Sequence, residues 1–450
     1  MYSPPSITEV AAKLRDGRVT PIELVEHCLA RIRRFDERVQ AWVMVDEAAA
    51  RASAAEFGAE LHAGKWRGPL HGIPIGIKDI IDVQGWPTLA GSRLRRGHKA
   101  ERDATVVARL RASGAILLGK TVTTQFASFD PPPTRNPWNL DRTPAGSSSG
   151  SAAAVAMGMC LAAMGSQTGG SITRPASYCG VAGCKPTYGR VGLTGIVPLA
   201  YHMDHPGPIA RTVGDLAAML EVIAGYDPLD PLSLNVPQED YGAAVVNPAP
   251  PRLGLLEGFF LDAASSEVRQ ATLAAVERLR AAGAEIVGVN LPASFEGVVR
   301  SHRIVMAVDS AEYHRANFPA RRSDYGPRIA QLMDEGVAAS AVDYAVALEH
   351  QIRFRHEMQQ TVHGFDALLT PATTTTAPSH ETTGDPAFNS PHSFSGQPTV
   401  SFPCALSDEG MPIALQFIGP LLGESQVLAA AAWSEQHVGL NAMPPLCDAE

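Results

Sequence analysis

Three stretches of this chain hold residue types that could do acyl chemistry together. Ser171 closes the run Gly165-Ser-Gln-Thr-Gly-Gly-Ser171, where glycine lets backbone N–H groups approach a ligand oxygen closely. Ser147 lies 24 residues earlier, within Thr143-Pro-Ala-Gly-Ser-Ser-Ser-Gly-Ser151. Lys78 stands in Gly68-Pro-Leu-His-Gly-Ile-Pro-Ile-Gly-Ile-Lys-Asp79, among Ile73, Ile75, Ile77, Ile80 and Ile81. That apolar segment reads as a buried strand, and burial disfavours an ammonium, so the lysine pKa should fall. A neutral amine accepts a serine proton, whereas a charged one only donates. A nucleophile, a proton acceptor and a row of backbone donors are what cleavage of an acyl bond requires.

Each element also has a purely structural reading. Lys78 can pair with Asp79 or Asp82, Ser147 or Ser151 can cap a helix, and Gly169-Gly170 can make a tight turn. The elements that must position them are partly legible. Ala152 to Met164 is almost entirely small and apolar and reads as a buried helix returning the two Gly-rich turns to one place. Val106 to Ala112 reads as a helix stopped by Gly114, with Ala115 to Leu118 as the next strand, and Arg278-Leu-Arg-Ala-Ala-Gly-Ala-Glu-Ile-Val287 repeats that order. Two motif matches therefore lose their context. Gly114-Ala-Ile-Leu-Leu-Gly-Lys-Thr121 fits a nucleotide-binding loop through Lys120 and Thr121, but such a loop follows a strand and opens a helix. Gly146-Ser-Ser-Ser-Gly150 fits a nucleophile elbow centred on Ser148, but a Pro-rich polar loop precedes it, so Ser148 is read as supporting Ser147.

The chain resembles the amidase signature hydrolases through Gly68 to Asp82, Asn136-Pro-Trp-Asn-Leu-Asp-Arg-Thr-Pro144, Gly146 to Ala154, Gly165 to Ser171, and Cys179-Gly-Val-Ala-Gly-Cys-Lys-Pro-Thr-Tyr-Gly-Arg190. The likeness is strong from Ile7 to Tyr226, looser from Phe365 to Gly439 and faint between. It implies an α/β fold, one large α/β/α sandwich whose central mixed, twisted sheet is covered by helices on both faces. The implied domain spans 1–450, with a helical hairpin at 6–35, a catalytic core at 68–226, a divergent, mostly helical segment at 295–364 and closing strands at 365–440. It further implies a triad of Lys78, Ser147 preceded by a cis peptide bond, and Ser171 as nucleophile. The backbone N–H groups of Thr168, Gly169, Gly170 and Ser171 would form the oxyanion hole. The implied reaction is hydrolysis of small-molecule amides, extending to carbamates and esters, without a cofactor. The same triad serves the glutaminase component of a tRNA-dependent amidotransferase, which stands as the alternative.

Departures from the family pattern bear on substrate. Arg174 lies three residues beyond Ser171, with Thr173 where the arginine usually stands; it suits a substrate carboxylate or, the favoured reading, a structural one. Gln167 replaces a common Asp, which removes a charge beneath the oxyanion loop and makes it a second candidate for substrate contact. Ala145 and Ser149 replace glycines, and His392-Ser-Phe-Ser395 stands where an Asn-containing turn is usual. Tyr313, Phe318, Tyr325, Met333, Tyr344 and Phe354 can line an acyl pocket or cover the core, and Ala372 to Pro391 reads as a rim or lid.

Composition narrows the rest. The 450 residues are 45% hydrophobic and 18% charged, enough for a large core, and a formal net charge of −9 without a basic block argues against nucleic acid or an anionic membrane. No apolar run reaches the roughly 18 residues of a membrane span, and Met1-Tyr-Ser-Pro-Pro-Ser-Ile7 lacks a leader's charged start and apolar core. The expectation is a cytoplasmic monomer or homodimer. Six scattered cysteines form no C-x-x-C pair, His202-Met-Asp-His205 is a poor ligand set, and no metal is expected.

Overall fold

The computed structural model describes residues 5–447. Its strands are β1 (Trp42–Val45), β2 (Pro74–Lys78), β3 (Ile116–Thr121), β4 (Ala162–Gln167), β5 (Ala182–Lys185), β6 (His205–Ala210), β7 (Arg252–Leu256), β8 (Glu285–Val289), β9 (Ala367–Pro371), β10 (Thr399–Leu406) and β11 (Pro412–Ile418). All eleven join in one sheet, ordered β1-β3-β2-β4-β6-β5-β10-β11-β9-β7-β8. Pairing is mixed: β2 runs parallel to β3 and β4, and β7 to β8 and β9, while the remaining neighbours are antiparallel. Every residue of β2, β3, β4, β9 and β11 is buried, so helices cover both faces, as an α/β fold with parallel strands requires.

Local signals place many of these elements. Thr20 and Glu23 form a capping box that starts the Pro21–Val39 helix, with Pro21 at its first turn. Gly114, at φ +81°, ends the Thr105–Ala112 helix before β3, and Gly283, at φ +112°, ends Ser266–Ala282 before β8. β7, that helix and β8 make the expected βαβ unit. The divergent stretch holds Val298–His314, Pro327–Ala338 and Ala341–Val362 as its long helices. Within it Phe318, Tyr325, Met333 and Phe354 belong to the core, whereas Tyr313 is 39% exposed.

One expectation fails. Ala152 to Met164 is not a single helix: Ser149–Ala156 is helical, Gly158 turns at φ +64°, and β4 begins at Ala162. Short apolar runs have no periodicity that separates buried helix from buried strand, and here pairing of Ala162, Ala163 and Met164 with both β2 and β6 decides. The leader reading of Met1 to Ile7 falls in part on residues 1–4, outside the described residues. Among those described, no helix is long and apolar enough to cross a membrane.

Candidate active site

Parallel pairing of β2 and β4 brings their carboxyl ends together, and the chemistry-bearing residues collect there. Lys78 ends β2, and the loop after β4 carries Thr168 to Ser171 into the Thr173–Cys179 helix. The loop holding Ser147 leads into Ser149–Ala156, which packs beside β4.

The Lys78 side chain is fully buried. Its Nζ lies 2.7 Å from Ser147 Oγ, 2.9 Å from Ser148 Oγ and 2.8 Å from Ser166 Oγ. Burial drives its pKa well below the ordinary lysine value, against a smaller opposing effect from Asp204. Asp79 does not pair with it. The Asp79 carboxylate turns to Lys120 at 2.9 Å, and both are buried. Lys120 donates also to Pro87 O and Thr88 Oγ1, and Thr121 Oγ1 meets Ser151 Oγ at 2.7 Å. The nucleotide-loop match is thus a buried strand whose lysine is neutralised internally, leaving no exposed helix start to cradle a phosphate. Ser148 Oγ also accepts from Ser166 N and faces Ser166 O, which ties the lysine's surroundings to β4.

The Gly146–Ser147 peptide bond is cis. The Gly146 carbonyl accepts a 3.1 Å hydrogen bond from Arg174 Nη2. The favoured reading of Arg174 expected a carboxylate; among the described residues its hydrogen bond goes instead to this carbonyl, the buried Thr173–Cys179 helix aiming it at the loop before Ser147. Arg174 is 2% exposed, and its Nε and Nη1 have no partner among the described residues. Gln167, the other candidate substrate contact, is engaged within the protein. Its amide oxygen accepts from Ile172 N, Thr173 N and Thr173 Oγ1 at 2.9–3.2 Å and its Nε2 donates to Ser393 Oγ, so the buried amide is engaged in holding the start of the helix.

In the loop between, no backbone N–H of Thr168, Gly169, Gly170 or Ser171 donates to an acceptor among the described residues. Gly170 adopts φ +141°, and a Cβ there would lie 2.8 Å from Asn389 Oδ1. The loop's carbonyls, by contrast, are occupied. His302 Nε2 donates to Thr168 O at 3.0 Å and Ser390 Oγ to Gly169 O at 3.1 Å. Burial lowers the His302 pKa to about 4, so the ring is neutral near pH 7 and its Nε2 carries the proton. The Ser171 hydroxyl, at 7% exposure of its residue, makes no hydrogen bond with the described residues.

Sequence reasoning missed Asp204, Ser166, His302, Asn389 and Ser390. Asp204 lay in the segment weighed only for metal binding. His202 Nδ1 faces Asp309 and His205 Nδ1 faces Gln167 O, while the Asp204 carboxylate accepts from Thr168 Oγ1. Among the described residues no group of three His, Cys, Asp or Glu is placed to hold a metal. Asn389, three residues before His392, donates to Thr173 Oγ1, Ala372 O and Gln416 Oε1. His392 instead stacks on Phe260 in the core. A cavity of about 440 Å³ adjoins the loop, lined by Phe129, Val299, Met306, His302, Thr383 and Ser390 among others, so the 372–391 stretch forms part of its rim.

The chain matches the family model described as Amidase over residues 23–428. It is 36% identical over 473 residues to the glutamyl-tRNA(Gln) amidotransferase A component of Synechococcus sp. (strain RCC307), covering 96% of this chain and 97% of that protein. It is likewise 36% identical over 454 residues to the putative amidase AmiD of Mycobacterium tuberculosis (strain CDC 1551 / Oshkosh), covering 98% and 95%. The solved peptide amidase of Stenotrophomonas maltophilia superposes with a TM-score of 0.87 at 30% identity, covering 99% of each chain.

Proposed function

This chain belongs to the amidase family, and from that premise we propose that it hydrolyses small-molecule amides through an acyl-enzyme on Ser171, with Ser147 and neutral Lys78 as its proton relay. The observation that carries this reading is a buried lysine that, among the described residues, has no carboxylate partner and is ringed by serine hydroxyls, beside a loop whose four backbone donors are unused by those residues.

In the proposed mechanism Ser171 Oγ attacks the amide carbonyl while its proton passes to Ser147 Oγ, whose own proton moves to Lys78 Nζ. The C–O bond forms, and the tetrahedral oxygen takes the electron pair of the carbonyl. The N–H groups of Thr168 to Ser171 meet that charge, one such donor being worth roughly 3–4 kcal/mol in the transition state. Collapse breaks the C–N bond as the relay returns a proton to the leaving amine. Water then repeats the attack on the acyl-enzyme and frees the acid. Ser148 and Ser166 hold Lys78 on the relay, and Arg174 holds the turn before Ser147. Carbamates and esters offer the same carbonyl and fall within the proposed scope.

A second reading, the glutaminase component of an amidotransferase, draws on the 36% identity to such a protein. Assay of the purified chain alone against anilides, aliphatic amides, carbamates, esters and glutamine separates the two. Turnover of simple amides supports the first, and glutaminase activity that appears only with a partner supports the second. Ser171→Ala is expected to abolish labelling by an alkyl fluorophosphonate; labelling that persists at Ser148 refutes the assignment.

A further inference from the structure

Among the described residues Lys78 has no carboxylate in contact, yet one carboxylate acts on it. Asp204 precedes β6, is 5% exposed, and accepts from Thr168 Oγ1, from Leu199 N at 2.8 Å and from Ala200 N at 3.2 Å. Thr168 is the first residue of the oxyanion loop, and its carbonyl is held by His302. The Asp204 charge is thus bonded to the loop on one side and is the charged group that raises the Lys78 pKa on the other. We infer that Asp204 is a positioning residue for the proposed triad: its carboxylate anchors the oxyanion loop through the Thr168 hydroxyl, two residues beyond the Ser166 hydroxyl that meets Lys78 Nζ. The charge that Gln167 omits at the end of β4 is supplied from the entrance of the neighbouring antiparallel strand, since Gln167 pairs with His205, the residue after Asp204.

The electrostatic surroundings leave this pairing distinct. Burial raises the Asp204 pKa to about 6, against the hydrogen bonds from Thr168, Leu199 and Ala200, with Asp309 of the Val298–His314 helix adding in the same upward sense. Asp309 is itself bonded by His202 and Tyr344. Burial and, to a lesser degree, the Asp204 charge keep Tyr188 protonated, and His205 is kept neutral by burial, with Lys185 and Arg355 acting in the same sense. Asp79, next to Lys78 in sequence, is engaged by Lys120. Above pH 6, then, Asp204 is an anion acting on a buried amine, and it favours the protonated form of Lys78. Removing the charge lowers the lysine pKa further, so the neutral, active amine appears at lower pH.

The inference rests on the Lys78–Ser147–Ser171 reading, and its test keeps the two apart. The second-order rate of labelling by an alkyl fluorophosphonate is measured from about pH 5 to 10 on the full chain, a span that brackets titration of a depressed lysine. Ser171→Ala must abolish labelling; if it does not, the triad reading fails. With that control in place, Asp204→Asn is expected to move the rising limb of the profile about 0.5–1 pH unit towards acid, the direction of losing a nearby opposite charge. A profile that superposes on wild type after scaling overturns the electrostatic role, because a purely structural defect scales the rate without moving the limb. Thr168→Val keeps the charge and deletes the anchor, and it serves even if Asp204→Asn fails to fold. It is expected to slow labelling at least about tenfold without moving the limb, with Thr168→Ser restoring most of the loss. Labelling of Thr168→Val at the wild-type rate overturns the anchor.

Discussion

Substituting Gly170 by alanine tests the proposed oxyanion loop at a position where an added side chain has less room than at Gly169. At φ +141° the residue occupies a region that L side chains rarely adopt, at a cost of about 1–3 kcal/mol. The added Cβ would stand 2.8 Å from Asn389 Oδ1, 2.9 Å from Asn389 Cβ and 3.1 Å from Asn389 Cγ. Asn389 cannot swing aside freely, because its Nδ2 donates to Thr173, Ala372 and Gln416 and the residue is fully buried. Overpacking against such a side chain costs about a further 1–3 kcal/mol. The expected loss of stability is therefore roughly 2–6 kcal/mol if the loop holds its shape. If the loop instead relaxes, stability is partly regained, but the N–H groups of Gly170 and Ser171 leave their aim. A misdirected donor lowers the chemical rate about 10²–10³-fold. Gly169→Ala is the internal comparison: its Cβ would meet His302 Cε1 at 3.2 Å and Ser390 Oγ at 3.3 Å, contacts that a few tenths of an ångström relieve. The assay pairs urea unfolding midpoints with fluorophosphonate labelling rates for wild type and both variants. Gly170→Ala should be the worse of the two in the sum of its stability and rate losses. A Gly170→Ala protein within about 0.5 kcal/mol of wild-type stability and within about twofold of its rate refutes the loop reasoning.

Further outcomes follow from the buried lysines. Lys78→Met should lower the labelling rate about 10²–10⁴-fold, the usual contribution of a positioned base, while keeping the fold. The sign of its stability effect is fixed: a lysine whose folded pKa lies below its unfolded value binds fewer protons folded, so its contribution to stability rises with pH between the two values. Thermal melts of wild type should therefore gain stability from neutral towards alkaline pH relative to Lys78→Met; parallel curves count against a neutral Lys78. Lys120→Met should destabilise by about 3–5 kcal/mol by stranding Asp79 in the interior, whereas Lys120→Met with Asp79→Leu recovers much of it, as urea unfolding would show. Calorimetry with ATP should show no binding to wild type, and binding abolished by Lys120→Met would restore the nucleotide reading.

What the sequence by itself determined here is local chemistry and punctuation. An isoleucine-rich strand ending in lysine announced a desolvated amine, Thr20-Pro-Ile-Glu23 announced a capped helix, and Gly114 and Gly283 announced helix stops, because each signal acts through its immediate neighbours along the chain. Lys78, Ser147 and Ser171 were suggested as a set by the resemblance of their motifs to the amidase signature hydrolases rather than by any local signal. Tertiary structure decided what contacts across the sheet can decide. It made Ala162 to Met164 a strand, because β2 and β6 offered ladder partners that no periodicity records. It gave Asp79 to Lys120 and left Lys78 to the serines, although Asp79 is adjacent to Lys78 in sequence, because successive residues of an extended chain face opposite sides. It also recruited Asp204, His302, Asn389 and Ser390 to the loop before Ser171 from positions 33 to 219 residues beyond it (204 − 171 and 390 − 171). Those partners carry no local signature: a buried carboxylate or imidazole becomes part of the site only when folding sets it against a particular hydroxyl or carbonyl.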